Sequence, residues 1–223
     1  MISPHLDDAV LSCGECIAAH PGCTVLTVFA GCPADGRRST DWDRRCGFET
    51  AAQAVAARRE EDRVALSLLG ARPAWLAFTD SQYDEPASDR TIADTLAEVM
   101  RAQACEPVLL PLGLFHSDHL QVHRAARLAI AQTPGIEALL YEDAPYRGLP
   151  GALQQRLSDL LAEGLRLTPA RWHLASAVQA KRRAADAYAS QWRAFGSGGL
   201  DDAALPERFW RIDAAAEAAD GTR

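Results

Sequence analysis

Two short segments of the chain combine histidine with aspartate, and these residue types could hold a metal ion. They are His5-Leu6-Asp7-Asp8 and His116-Ser117-Asp118-His119. Catalytic zinc commonly takes three histidine or carboxylate ligands from the protein and keeps one position for water. The bound ion lowers the pKa of that water to about 7 and polarises a carbonyl oxygen, while a nearby carboxylate can act as general base and a histidine can protonate a leaving amine. Together the two segments predict metal-assisted hydrolysis of an amide.

Neither segment is strong evidence by itself, because an aspartate before a helix is more often an N-cap than a ligand. The pair is more informative, since each segment follows a predicted strand. In an open parallel sheet, ligands bind beyond the carboxyl ends of the strands, so the two segments can meet there. Histidine and carboxylate ligands favour Zn2+ as the cofactor, and the same ligand types also suit Fe(II) and Mn(II).

Along the chain, apolar runs alternate with stretches of helical periodicity, and these elements must position the two segments. The alternation predicts a parallel sheet covered by helices. The predicted strands are residues 23–32, 73–79, 107–115 and 137–141. The predicted helices are a stretch from residue 9 and residues 50–69, 91–104, 119–132, about 152–163 and about 176–195. A strand leading into His5 has only two residues available, so it is either very short or begins upstream of this chain. The Ser-Gly-Gly sequence at 197–199 predicts a flexible break.

The two motifs resemble the signatures of the LmbE-like, or PIG-L, family of zinc-dependent deacetylases. Weaker similarity extends to Arg59–Gly70, to Lys181 and to residues 188–191. The family includes N-acetylglucosaminyl-phosphatidylinositol de-N-acetylases and the deacetylases of mycothiol and bacillithiol synthesis. The resemblance implies one deacetylase domain over residues 1–223, with an α/β fold that is a Rossmann-like three-layer sandwich around a mostly parallel central sheet. It also implies a hydrolase that removes an N-acyl group, most simply acetyl, from an amino-sugar conjugate.

The resemblance implies three metal ligands, namely His5, Asp8 and His119. The chain departs from the family at two positions, because the family usually has Pro where this chain has Leu6 and Glu where it has Ala9. Neither position is a ligand in the family pattern, so metal binding is expected to survive. The missing acidic side chain at position 9 bears more on the substrate than on the chemistry.

The resemblance also implies three catalytic residues. Asp7 would be the general base that takes a proton from water. His116 would stabilise the oxyanion or protonate the leaving amine, with Asp118 holding its imidazole in orientation.

Three further residues are candidates for substrate binding. Arg37 and Trp42 lie in a long polar loop after the strand at 23–32, on the side of the sheet where substrate pockets form, and the alternative is a solvated loop. His123 is expected to support the site or face the substrate, and the alternative is an ordinary histidine on a helix surface. The segment Tyr141-Glu142-Asp143, which ends the strand at 137–141, could add to the rim of the pocket.

Composition limits the other functions. The formal charge of −7 disfavours nucleic acid as a partner, and the mixed charges of residues 58–63 are typical of a solvated helix face. No apolar run approaches the roughly 20 residues of a transmembrane helix, and the N-terminus does not look like a signal peptide, so a cytoplasmic location is expected. Six cysteines are expected to be free thiols. No feature of the sequence predicts an oligomeric state.

Two other functions remain as alternatives to the hydrolase. One is a non-catalytic carbohydrate-binding protein that retains the fold, although such a protein has no need of a general base. The other is a thiol redox protein built on Cys13 and Cys16.

Overall fold

The computed structural model describes residues 1–103, 107–170, 177–195 and 205–213. Within these residues the first sheet has three strands in the order β1-β2-β3, all parallel. The strands are β1 (Ile2–Ser3), β2 (Thr24–Thr27) and β3 (Arg72–Trp75). A two-residue strand therefore precedes His5 in this chain.

The second sheet has four strands in the order β4-β5-β7-β6. The strands are β4 (Val108–Pro111), β5 (Ala138–Tyr141), β6 (Leu167–Ala170) and β7 (Phe209–Ile212). β4 and β5 are parallel, whereas β7 runs antiparallel to both of its neighbours. The two sheets adjoin where β1 contacts β4, and the hydroxyl of Tyr141 donates to the carbonyl of Ile2 at 2.9 Å.

The described helices are α1 (Asp8–Ala19), α2 (Asp41–Arg45), α3 (Ala51–Leu68), α4 (Asp89–Gln103), α5 (Ser117–Ala131), α6 (Ala144–Arg147), α7 (Ala152–Ala162), α8 (Val178–Ala185) and α9 (Ala189–Phe195). A single 3-10 turn spans Ser81–Tyr83. Local sequence explains the ends of α3, because the Thr50 side chain accepts from the amide of Gln53 and Gly70 adopts a φ of +70° just beyond the helix. None of the described helices is both long and apolar enough to cross a membrane.

Neighbouring residues of the second sheet face two different apolar clusters. Leu110 belongs to a cluster with residues of α4 and α5, whereas Leu109 belongs to one with residues of α1, α3 and α8. Since side chains alternate along a strand, helices cover both faces of β4, and the strand is buried throughout.

The structure confirms a mixed α/β fold and corrects several elements of the sequence prediction. The predicted strands are shorter in the structure, most clearly 23–32, of which only Thr24–Thr27 is a strand. Strands β6 and β7 were not predicted from the sequence. The predicted helix at 176–195 is two helices, α8 and α9. The loop at 37–43 contains the start of α2, which a capping box between Thr40 and Asp43 stabilises. The predicted break at 197–199 lies outside the described residues.

Candidate active site

The first motif follows β1 in a tight turn that Ser3 stabilises. The Ser3 hydroxyl donates to the carbonyl of His5 at 2.7 Å and accepts from the amide of Ala9 at 3.1 Å. Asp8 is the first residue of α1, and its Oδ2 accepts from the backbone amide of His5 at 2.9 Å. The turn therefore folds the two side chains of this motif toward each other.

The second motif begins α5. His116 is the N-cap residue, and its Nδ1 accepts from the amide of Asp118 at 3.2 Å. Asp118 and His119 lie in the first turn of the helix and are buried. The carboxylate of Asp118 is favoured there because the helix N-terminus carries partial positive charge.

The two motifs converge on Asp8. Its Oδ2 lies 3.0 Å from Nδ1 of His5 and 3.1 Å from Nε2 of His119. Among the described residues, these three side chains each offer a ligand atom within 4.8 Å of the others. The Nε2 atom of His119 is buried, and although it lies close to Asp8, it makes no well-aligned hydrogen bond within the described part of the chain. A divalent cation would satisfy this nitrogen, so the three side chains fit a metal ion.

Asp143 fixes the orientation of His119. Its Oδ1 lies 2.6 Å from Nδ1 of His119, and its Oδ2 accepts from the amides of Gly113 and Leu114 at 2.9 and 3.0 Å. The carboxylate favours the tautomer of His119 with its proton on Nδ1, which would leave Nε2, on the side of Asp8, available to a metal ion. The sequence placed Asp143 at the rim of a pocket, whereas the side chain is fully buried behind the predicted ligand.

Asp118 contacts the other predicted histidine ligand more closely than it contacts His116. Its Oδ2 lies 3.0 Å from Nε2 of His5 and 4.0 Å from Nδ1 of His116, and it accepts from the amide of Ser81 at 3.1 Å. Burial opposes ionisation of Asp118, but the hydrogen bonds and positive charge of His5 outweigh it and hold its pKa below the usual range. The structure therefore places the charged carboxylate of Asp118 behind His5.

Asp7 is buried and lines the same cavity as His5 and Asp8. Burial and the negative charge of Asp8 raise the pKa of Asp7 to about 7. A carboxylate in this range can accept a proton near neutral pH and release it again, which suits a general base. At His116, burial and the positive charge of His5 lower the pKa.

A cavity of about 310 Å³ opens above these residues. Its lining includes His5, Asp7 and Asp8, together with Trp42 from α2 and Arg58 from α3. This volume is at the small end of ligand pockets, which usually span about 300–1,000 Å³. It suits a compact ligand.

Arg58 is a cavity residue that the sequence analysis placed on a solvated helix face. It is buried, and its Nη2 donates to Oδ1 of Asp43 at 2.9 Å. The hydroxyl of Tyr83 lies 3.1 Å from both oxygens of Asp43. Asp62, one turn later on α3, is also buried. The spacing of Arg58 with Val55 and Asp62 could have indicated that this face of the helix points inward.

The candidate substrate residues have different positions. Trp42 lines the cavity, but Arg37 and His123 do not. Arg37 is exposed and pairs with Asp35. His123 is fully buried, with Nδ1 2.9 Å from the carbonyl of Pro111.

The described cysteines are free, and Cys105 lies outside the described residues. Both cysteines of the Cys-x-x-Cys sequence are buried. Burial raises the pKa of Cys16 to about 12, with a further contribution from the negative charge of Glu207, so its thiol stays protonated. This environment is unlike that of a reactive redox cysteine.

A His-Asp-His set beside a buried carboxylate, at strand ends of an α/β fold, is the arrangement expected of a metal-dependent amide hydrolase. Residues 1–130 match the family described as PIG-L, GlcNAc-PI de-N-acetylase. The chain belongs to the PIG-L family. The family assignment made from the two motifs is thereby confirmed.

Similar proteins are deacetylases. The 2'-N-acetylparomamine deacetylase of Streptomyces fradiae is 34% identical over 212 residues, covering 86% of this chain and 72% of that protein. The A40926 pseudoaglycone deacetylase Dbv21 has 27% identity and a TM-score of 0.78, with 96% of each chain covered. A triple mutant of a deacetylase of the teicoplanin biosynthetic pathway has 25% identity and a TM-score of 0.82, covering 97% of this chain and 98% of that one. These relatives confirm the prediction of an N-deacetylase.

Proposed function

We propose that the protein is a zinc-dependent hydrolase that removes an acetyl group from the nitrogen of an amino sugar within a natural-product intermediate. The observation that carries the proposal is the convergence of His5, Asp8 and His119 at the base of a small cavity, with Asp7 beside them. The S. fradiae relative, whose name gives an N-acetylated amino-sugar substrate, supports this substrate class.

His5, Asp8 and His119 would hold the ion. When bound, a divalent metal supplies Lewis-acid polarisation of the acetyl carbonyl and lowers the pKa of a water molecule. Two nitrogens and one carboxylate oxygen suit zinc, and reconstitution with Fe(II) or Mn(II) tests the alternatives. Asp118 and Asp143 would act through the two histidine ligands, because each carboxylate lies on the ring nitrogen opposite the shared Asp8.

Side chains that line the cavity carry out the two proton transfers of the reaction. The carboxylate of Asp7 takes a proton from the attacking water. His116, which lines the cavity and is partly exposed, donates a proton to the nitrogen of the leaving amine. Asp118 lies 4.0 Å from His116, so its negative charge favours the protonated imidazole without forming a close hydrogen bond.

Arg58 and Trp42 are the candidates for holding the sugar. Arg58 is fixed by Asp43 and lines the cavity, so its remaining N–H groups can donate to sugar hydroxyls. Trp42 presents an aromatic surface in the same cavity and contacts the ring of Phe195 at 5.1 Å between centroids. Arg58 and Trp42 therefore replace Arg37 and His123 as candidates for substrate binding, because neither Arg37 nor His123 lines the cavity.

The experiment exchanges the proposed base for its amide. Asp7→Asn should bind zinc with unchanged stoichiometry, measured by atomic emission, because Asp7 is not one of the three ligands. Release of acetate from 2'-N-acetylparomamine should fall by about 10²- to 10⁴-fold, since general-base catalysis contributes that much. The matched control is Asp84→Asn, an exposed aspartate away from the cavity.

Full activity of Asp7→Asn would refute the assignment of the base. A wild-type protein that contains zinc and binds N-acetyl sugars, but releases acetate from none of them, would establish the carbohydrate-binding alternative instead. The presence of a buried carboxylate beside the ligand set argues against that alternative, because binding alone needs no base.

The overall architecture extends this proposal. We infer that the two sheets form the central layer of a Rossmann-like three-layer sandwich, and that residues 1–223 are one domain. The contact between β1 and β4 and the apolar clusters on both faces of β4 support this architecture. A cytoplasmic location stays a prediction of the sequence.

A further inference from the structure

Phe115 is an exposed aromatic residue at the edge of the site, and its backbone conformation is unusual. It has a φ of +61°, and the amide of His116 donates to the carbonyl of Leu114 at 2.7 Å. A three-residue turn closed in this way with positive φ is rare and strained. The side chain is nevertheless 70% exposed, so burial of the ring does not offset this strain.

The ring of Phe115 continues a wall of rings that starts at the predicted metal site. Tyr146 lies 5.0 Å from His119 and 5.9 Å from His116, measured between ring centroids. The next ring outward is Phe115, whose centroid is 5.6 Å from that of Tyr146. The wall therefore runs from a fully buried histidine, through a tyrosine that lines the cavity, to an exposed phenylalanine.

The size of the cavity indicates what the outer end of this wall would meet. A volume of about 310 Å³ is at the lower end of ligand pockets and suits one amino-sugar ring with its acetyl group better than a larger conjugate. Any second ring attached to that sugar must then lie beyond the cavity. Phe115 does not line the cavity itself, but its ring contacts that of Tyr146, which does, with the two planes tilted by 37°. It therefore lies where the attached ring would emerge.

We propose that Phe115 forms a second subsite, outside the cavity, for a saturated ring joined to the N-acetylated sugar. This inference rests on the proposed deacetylase function. The C–H face of a saturated ring is apolar and packs against the electron-rich face of an aromatic ring, and an ammonium group on that ring would add a cation–π contribution. The strained turn then has two consequences, since it directs His116 into the cavity and holds Phe115 outside it.

The first experiment compares a two-ring substrate, 2'-N-acetylparomamine, with a one-ring substrate, methyl N-acetyl-glucosaminide. For Phe115→Ala, the KM for the two-ring substrate should rise about two- to tenfold with kcat unchanged, because one aromatic contact is lost. The KM for the one-ring substrate should not change. Phe115→Tyr should restore the wild-type KM, and Leu161→Ala, which removes an exposed apolar side chain on α7, is the matched control.

The outcomes separate this inference from the proposed function. If the wild-type protein releases acetate from neither substrate, the proposed function fails. If it hydrolyses both and Phe115→Ala changes the two KM values equally or not at all, only the second subsite is overturned.

A stability measurement distinguishes a binding role from a structural one. Phe115→Gly removes the ring and relieves the positive φ, so its melting temperature should not fall by more than about 3 °C, while its KM for the two-ring substrate should rise as in Phe115→Ala. A larger fall would show that the ring stabilises the fold through Tyr146. A dimer in light scattering that dissociates on Phe115→Asp would show that a second copy covers the ring, and this would also overturn the proposal.

Discussion

Asp143 connects the backbone of the second sheet to the predicted metal site. It follows β5, accepts two backbone amides from the segment after β4 and contacts Nδ1 of His119. With both of its oxygens engaged, the carboxylate has little freedom to rotate. The fixed carboxylate in turn holds the imidazole of His119. Its Nε2 therefore stays directed toward Asp8 before any metal binds.

Replacing this carboxylate should weaken metal binding without unfolding the protein. Asp143→Asn keeps the shape of the side chain but removes its charge, and loss of such a partner typically lowers metal affinity by about 10- to 100-fold. Competition with a chromogenic zinc chelator measures the change. Asp84→Asn should leave the affinity unaltered, and an unaltered affinity for Asp143→Asn as well would contradict this role.

At the scale of single residues, the residues within the two motifs were more predictable than the distant residues that contact them or line the cavity beside them. The resemblance of the two motifs to the family implied His5, Asp8 and His119 as a set, and the structure brings them together because both motifs follow strands at adjoining edges. Asp143 and Arg58 owe their positions to tertiary contacts with distant segments. Single-sequence patterns carry no direct record of such contacts. The sequence therefore predicts a position at the pocket rim for Asp143 and a solvated position for Arg58, although both side chains are buried.

At the scale of elements, α2 and α3 are joined by a buried ion pair next to the cavity. Asp43 of α2 is fully buried and accepts from Arg58 of α3 and from Tyr83. Asp43 also closes the capping box with Thr40. A charge in this environment is tolerated only while its partner remains, because desolvation of an unpaired ion is costly.

Asp43→Ala should therefore lower the free energy of unfolding by about 3–5 kcal/mol, since it leaves Arg58 as an unpaired buried charge. Urea denaturation measures the loss. Asp41→Ala is the matched control on the same helix, because Asp41 is exposed and its pair with Arg44 should contribute less than about 1 kcal/mol. Similar small losses in both variants would show that water reaches Arg58 and stabilises it.

His123 of α5 makes the stability depend on pH. Burial, together with the positive charges of Arg156, Arg127 and Arg124, lowers its pKa to about 3. The unfolded chain has a histidine pKa near 6.5, so it takes up the proton first as the pH falls. The folded state must therefore lose stability between about pH 6.5 and pH 3.

The low pKa of this histidine alone should lower the free energy of unfolding of the wild-type protein by about 2 kcal/mol between pH 7 and pH 5. His123→Gln cannot titrate, so the difference in unfolding free energy between the two proteins should shrink or reverse as the pH falls. Urea titrations at several pH values measure it. A difference that stays constant with pH would show that His123 has the same pKa in the folded protein as in the unfolded chain.

The elements also differ in how well the sequence predicted them. Long helices such as α3 and α5 lie within two residues of their predicted bounds, because their apolar period and caps are local signals. β6 and β7 were missed, since a four-residue strand such as Leu167–Ala170, with Pro169 in it, has little intrinsic preference and depends on pairing with a distant segment. Tertiary contact, not propensity, produces β6, whereas Phe209, Trp210 and Ile212 favour a strand and β7 was missed because the run is short.

At the scale of the whole molecule, the predicted metal site bridges the two sheets. His5 follows β1 of the first sheet, whereas His119 begins the helix after β4 of the second. An ion bound to both would connect segments that are far apart in sequence, and in the unfolded chain these ligands would not be assembled. Metal binding is then part of the stability of the folded molecule.

Removing the metal should therefore destabilise the whole protein. With free zinc at about 100 times its Kd, binding adds about 2.7 kcal/mol of stability, which corresponds to roughly 5–11 °C in melting temperature for a chain of this size. Dialysis against a chelator should lower the melting temperature by that amount, and added zinc should restore it. Asp8→Asn lacks the shared ligand, so its melting temperature should respond little to either treatment. If the chelator leaves the wild-type melting temperature unchanged while zinc is shown to be gone, the ion does not hold the two sheets together.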